Sequence, residues 1–319
     1  MAAVNNFTRK KTILFHFSEK HKDYIRKCRE CSYNVAEGAV RAGKTVDNVF
    51  AFAHELKTTP DKIHLATGST MANAKMNIGD CNGMGLEWIF RGQSHWGKYK
   101  DNEALFIKGP ATNNKQKIVI FAGGAKEDSF KKIRGNSYGM WIATEINLHH
   151  DNTIKEAFNR QLAAKRLKVF WDLNPDNPRA AIYSEYIDRY QRQQEEGNFP
   201  GGYNYMHCTI YDNINITPER LHEIESRYDV NSIWYMRDIK GMRVVANGLI
   251  FRRFADDIST KKFGFALKEK PKDIMEINLG IDFGGSGSGH SFTATAITRG
   301  FQMVIPLASE WISCKDESG

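Results

Sequence analysis

The sequence is poor in cysteine, in long apolar runs and in repeats, and each shortage removes a class of protein. Cys28, Cys31, Cys81, Cys208 and Cys314 are an odd, sparse set in 319 residues, which is no disulfide framework. Cys28 and Cys31 form a CxxC with no second ligand pair at zinc spacing, so ordinary reduced thiols of a cytosolic protein are expected. No apolar run approaches the roughly 18 residues needed to span a bilayer. The opening stretch MAAVNNFTRKKTILFHF has no apolar segment followed by a small-residue cleavage site, so no secretion signal is legible.

What remains reads as a soluble globular chain, 41% hydrophobic and 26% charged, and its length favours two domains over one core. Lysine and arginine exceed the acids by a net charge of +8, with a pI near 9.1. This excess favours a polyanionic partner such as nucleic acid. The basic clusters Arg9-Lys10-Lys11, Lys131-Lys132 with Arg134, Arg252-Arg253 and Lys261-Lys262 each read more readily as solvated surface than as a DNA contact.

KTVDNVFAFAHEL puts Val46, Val49, Phe50, Ala53 and Leu56 at helical spacing, which predicts a helix starting at Lys44. Apolar, β-rich runs recur at 62–68, 117–124, 138–144 and 167–173, with helical stretches around 71–78 and 153–166 between them. Strands apolar on consecutive positions suit a parallel sheet buried on both faces. The alternation predicts an open α/β sheet with ligands at the carboxyl ends of the strands. After residue 205, TPERLHEIESRY has the Thr-Pro start of a helix, and Asn247-Gly248 between β-rich arms predicts a hairpin. Residues 255–275 read as a linker, and INLGIDFGG, SFTATAIT and FQMVIPLA as three successive antiparallel strands.

The strongest chemical signal is G-x-x-x-x-G-K-T, filled by Gly38 to Thr45 in NVAEGAVRAGKT. Glycines let backbone N–H groups close around phosphates at a helix N-terminus. Lys44 is then placed for the β- and γ-phosphates, and the Thr45 hydroxyl for Mg²⁺. Two acids compete at strand ends, Glu145 after GMWIAT and Asp172 in KVFWD. Glu145 is suited to polarising water; Asp172 suits a Mg²⁺ partner or the tight turn LNPDNP equally. Position alone leaves the choice open. Of the arginines Arg41, Arg134 and Arg179, only Arg41 has a local reason to face a γ-phosphate, since it lies in the loop. Asp282 sits amid a hydrophobic strand, where a carboxylate is costly unless paired or metal-bound. The Gly-Ser run at 284–289 reads as a flexible hairpin turn rather than a second phosphate loop.

Together the segments resemble the large terminase subunit of tailed bacteriophages, the ATPase that packages viral DNA. VAEGAVRAGKT is similar to its arginine-bearing Walker A, KIRGNSYGMWIATEIN to its run into Walker B and the catalytic glutamate, and DLNPDNP to its coupling motif. CTIYDNINIT, IKGMRVVANGLIF and LGIDFG resemble the passage from the ATPase into an RNase H-like nuclease. The resemblance implies an α/β P-loop NTPase core over 1–205, a linker subdomain over 206–254, and the start of a nuclease at 276–319. It implies an ATP-Mg²⁺ site of Gly38, Arg41, Ala42, Gly43, Lys44 and Thr45, with Glu145 activating water and Asn174 linking hydrolysis to DNA movement. Arg134 is then a finger for a neighbouring subunit, and Asp282 the first Mg²⁺ or Mn²⁺ ligand of the nuclease. The implied partners are double-stranded DNA, a portal, a small terminase subunit and further copies in a ring, taken as a pentamer on the procapsid in the host cytoplasm, and no membrane.

Two departures stand out. The family pattern Asp-Glu is here Thr144-Glu145, leaving Thr144 or water in place of the aspartate; and residues 276–319 are short for a whole nuclease domain, so this chain is not expected to cut DNA. A P-loop phosphotransferase and a nucleotide-gated DNA clamp without turnover are the competing readings.

Overall fold

A computed structural model describes residues 15–244, 273–283, 289–301 and 303–313. The chain divides into two compact units, Met1–Asn247 and Gly248–Gly319.

The first unit is built on one sheet of β1 (Tyr33–Gly38), β2 (Ile63–Gly68), β3 (Ser94–Tyr99), β4 (Asn102–Ile107), β5 (Lys117–Gly123), β6 (Met140–Ala143), β7 (Lys168–Leu173) and β8 (Tyr203–Cys208). Its order is β3-β4-β5-β2-β6-β7-β1-β8. The pairs from β5 through β8 are parallel, whereas β3–β4 and β4–β5 are antiparallel. The four runs read as strands in the sequence are β2, β5, β6 and β7. Helices α1 (Glu19–Lys27), α2 (Lys44–Leu56), α3 (Met71–Ala74), α4 (Leu86–Ile89), α5 (Phe130–Ile133), α6 (Asp151–Gln161), α7 (Asp188–Glu195), α8 (Pro218–Glu225) and α9 (Ile233–Asp238) complete the unit. The helix expected from Lys44 is α2. The Thr-Pro start is α8, whose cap Thr217 accepts the Arg220 N–H.

Apolar residues run consecutively along the central strands because both faces are covered. Val35, Leu65, Trp141, Val169 and Trp171 enter one core cluster, and their neighbours Ala36, Ala66, Ile142 and Phe170 enter the other. On the first face Trp141 meets Trp171 edge-on at 5.2 Å between ring centres, with Phe158 5.6 Å from each. Such pairs add to their area burial. At its start β7 carries buried Lys168, whose ammonium donates to the Cys28, Arg29 and Cys31 carbonyls at 2.5, 2.8 and 3.0 Å. The CxxC backbone thus closes one end of this strand.

The expected boundary after residue 205 falls inside β8, which pairs with β1 along its whole length. Tyr235 and Ile239 are buried in the same cluster as Ala36 and Phe170. Residues 206–244 therefore belong to the first unit rather than to a separate subdomain. The Asn247-Gly248 hairpin, nearly all of the expected linker and residues 284–288 of the Gly-Ser run lie outside the described residues.

The second unit is a meander of β9 (Ile274–Asp282), β10 (Gly289–Thr298) and β11 (Val304–Ser313), antiparallel in the order β11-β10-β9. These are the three expected strands, with β9 starting inside the expected linker. Asp282 is the last residue of β9 and exposed, not mid-strand and buried. The desolvation argument for a metal there therefore lapses.

Candidate active site

The carboxyl ends of β1, β6 and β7 lie side by side, and their loops form one cavity. β1 leads into the glycine-bracketed loop through Gly38, at φ 153°; a Cβ there would stand 2.0 Å from the Cys208 carbonyl oxygen of β8. The loop is held from outside. Ala39 N–H donates to Cys208 O at 2.8 Å, Val40 N–H to Asp238 O at 3.2 Å, and the Asn213 amide to Arg41 O at 2.7 Å. Arg41 has a left-handed backbone, φ 62°. Gly43, at φ 100°, begins α2 without a side-chain cap. The first N–H groups of a helix have no intrahelical partner, and the dipole there favours an anion. Lys44 folds back over the loop, donating to Gly38 O at 2.9 Å, Ala39 O at 2.6 Å and Asn174 Oδ1 at 3.1 Å. Burial lowers its pKa, opposed most strongly by Asp172.

The β6–β7 register pairs Ala143 with Trp171, so Thr144 and Asp172 follow side by side. Asp172 Oδ1 accepts from the Thr144 hydroxyl at 3.2 Å and the Glu145 N–H at 3.1 Å. Asp172 Oδ2 is buried with no hydrogen-bond partner. Burial pushes this carboxyl up to about 6, against the downward pull of the Glu145 N–H, Lys44, Thr144 and Thr45. Glu145 takes a left-handed backbone at φ 53°, ψ 52°, a conformation that tends to persist at functional sites. Its carbonyl is fixed by the Leu148 N–H at 2.9 Å.

The cavity, about 440 Å³, is walled by Arg41, Lys44, Thr45, Glu145, Asp172 and Asn174 among others. Ala42 and Gly43 also line it, and Gly38 lies under Lys44. Arg134 is not in the wall; its guanidinium stacks on Phe130 at 4.4 Å, pairs with Glu156 at 3.3 Å and remains half exposed. Arg179 sits in the exposed turn after Asn177, whose side chain accepts its N–H at 2.9 Å. The turn DLNPDNP is closed by Asp176 and Asn177, so Asp172 serves the cavity and not the turn. A larger hollow, about 960 Å³, lies at the amino ends of β1 and β7 between Arg26, Glu55 and Arg166, away from these groups.

One cluster escaped sequence reasoning. Buried Glu37, just before the loop, takes three contacts of 2.7 to 3.0 Å from the Arg243 guanidinium and the Tyr183 and Tyr205 hydroxyls at 2.8 Å. Arg243 stacks on Tyr183 at 3.7 Å and reaches Asp188 at 2.6 Å. An acid inside the apolar strand YNVAEG was the available sign that a distant cation must arrive.

The sequence profile of the family described as terminase large subunit, T4likevirus-type, N-terminal, matches residues 35–256. Among solved structures, the large terminase of a thermophilic bacteriophage superposes with a TM-score of 0.62 at 18% identity, over 93% of this chain and 69% of that one. The same thermophilic-phage protein in complex with ADP gives 0.62 at 19% identity over the same shares. The HK97 bacteriophage large terminase gives 0.52 at 12% identity, over 91% of this chain and 63% of that one. At these identities the likeness is one of fold. No curated protein matches the sequence. With the profile covering residues 35–256 of 319, on the sheet that carries the loop, Glu145 and Asn174, the chain belongs to the terminase large subunit family.

Proposed function

We propose that this chain is an ATP-hydrolysing motor that moves double-stranded viral DNA into a procapsid. The observation that carries it is the convergence of Lys44, Thr45, Glu145 and Asn174, from three strand ends, on one cavity. The uncapped start of α2 supplies N–H donors for phosphate oxygens. Lys44 leaves the Gly38 and Ala39 carbonyls for the β- and γ-phosphates, and Arg41 adds charge at the outer end of the loop. Glu145 orients the attacking water and accepts its proton. Magnesium fits the donors present, since the Thr45 hydroxyl and the partnerless Asp172 Oδ2 both belong to this wall. When bound, Mg²⁺ neutralises charge on the β- and γ-phosphate oxygens. Complexes of the thermophilic-phage terminase with ADP and with ATP-gamma-S support the nucleotide reading.

Asn174, bonded to Lys44, is the group through which the nucleotide's arrival reaches the turn after β7. Exposed Arg134 is assigned to the site of a neighbouring subunit in a ring, a pentamer on the portal, with DNA brought by a small terminase subunit in the host cytoplasm. The net charge of +8 supports a sequence-independent grip on phosphates. The second unit is assigned to the start of an RNase H-like nuclease, with exposed Asp282 as a Mg²⁺ or Mn²⁺ ligand.

Phosphate release with and without double-stranded DNA tests the reading. The wild type is expected to turn over ATP faster with DNA, and Lys44→Ala and Glu145→Gln to lose turnover. Equal, near-zero rates for the wild type and Glu145→Gln would instead identify a clamp, and phosphate found on a small acceptor a phosphotransferase.

A further inference from the structure

P-loop NTPases hold magnesium with the loop's Ser or Thr and an aspartate from a nearby strand end. Here β6, the strand that leads to Glu145, is followed by uncharged Thr144. We propose that Asp172, delivered by β7, is the carboxylate that holds the nucleotide's magnesium and at the same time sets the backbone of Glu145. The inference rests on reading the cavity as an ATP site.

The register argues for it first. Asp172 stands beside Thr144, displaced by one strand spacing, about 4.8 Å, and among the described residues Glu145 is the only other carboxylate in the cavity wall. The hydrogen bonds argue next. Oδ1 is held by Thr144 and by the Glu145 N–H, while Oδ2, equally buried, has no partner. The residue is 3% exposed, and an ionised carboxylate that deep requires a cation or donors on both oxygens. The nearest ammonium does not fill the place, because Lys44 is bonded to Gly38, Ala39 and Asn174. Thr144 has a use in this layout. Its hydroxyl receives the Asn77 amide at 3.4 Å and donates to Asp172, turning the carboxylate so that Oδ2 is the open oxygen. Substituting Thr for Asp at 144 thus relocates the acid by one strand instead of deleting it.

Mn²⁺ binding to the full chain with ADP, followed by electron paramagnetic resonance, tests this without turnover. Asp172→Asn is expected to weaken Mn²⁺ by at least about tenfold, the lower end of what even an outer-shell partner contributes, while ADP still binds in EDTA. Thr144→Asp combined with Asp172→Asn returns the carboxylate to β6 and is expected to recover Mn²⁺ binding. If Asp172→Asn does not fold, Asp172→Ser is the replacement, with the same expectation. Wild-type Mn²⁺ affinity in a folded Asp172 variant would overturn the inference and leave the ATP site standing. A wild type that binds no ADP at all would remove the ATP-site reading and this inference with it.

Discussion

The Lys44 ammonium lies 3.1 Å from Asn174 Oδ1, joining the loop after β1 to the turn after β7. Three oxygens therefore hold the cation before any phosphate arrives, and nucleotide binding has to exchange them. Removing one should ease that exchange. Asn174→Ala is expected to tighten ADP binding by about tenfold or more, since a hydrogen bond to a charged group contributes about 1.5–3 kcal/mol and each 1.4 kcal/mol is about tenfold. Titration calorimetry measures it; a clear loss of affinity would show that Asn174 acts on the bound state instead.

Glu145 is held in a left-handed backbone at the cavity by its neighbours, independent of its side chain. Glu145→Gln should consequently keep both fold and ADP affinity, while ATP turnover falls by about 10²- to 10⁴-fold, the usual contribution of a positioned base. Single-turnover kinetics beside ADP titration separates the two effects.

Glu37 is 0% exposed and paired with the Arg243 guanidinium. Arg243→Ala leaves that carboxylate buried beside two tyrosine hydroxyls and should cost about 3–5 kcal/mol, the range for breaking a buried pair from one side. Adding Glu37→Gln to it should recover part of the loss. Urea unfolding of the single and double variants measures both, and an unaltered midpoint in Arg243→Ala would refute that cost.

His64 is buried and uncharged. Its Nδ1 accepts the Met140 N–H at 3.2 Å, and its Nε2 faces the Asp61 carbonyl at 3.2 Å, which leaves no room for a second proton. Burial, helped by Lys117 and opposed by Asp61, pushes its pKa down to about 3. The unfolded chain takes a proton at His64 below about pH 6.5 and the folded chain refuses it, so this contribution is full above that pH and is lost as pH falls toward 3. Asp47 and Asp172, both held up to about 6, act in the opposite direction. The histidine is therefore read by difference: melting temperature should fall less on acidification in His64→Gln than in the wild type.

The loop, the helix behind it and the buried parallel strands were legible in the sequence because each is a local matter. Glycine spacing, helical periodicity and runs of apolar residues are dictated by neighbours in the chain. β3 and β8 were not legible, since SHWGKY and YNYMHC are partly exposed and mix polar with aromatic residues; they become strands only by pairing with β4 and β1. The boundary at 205 failed for the same reason, β8 being recruited by β1 from far along the chain. That Asp172 rather than Glu145 accepts from Thr144 at the end of β6, and that Arg243 pairs with Glu37, depend on strand order and register. Those relations join residues 28 and 206 positions apart, where no local preference acts and only the assembled sheet brings the charges together.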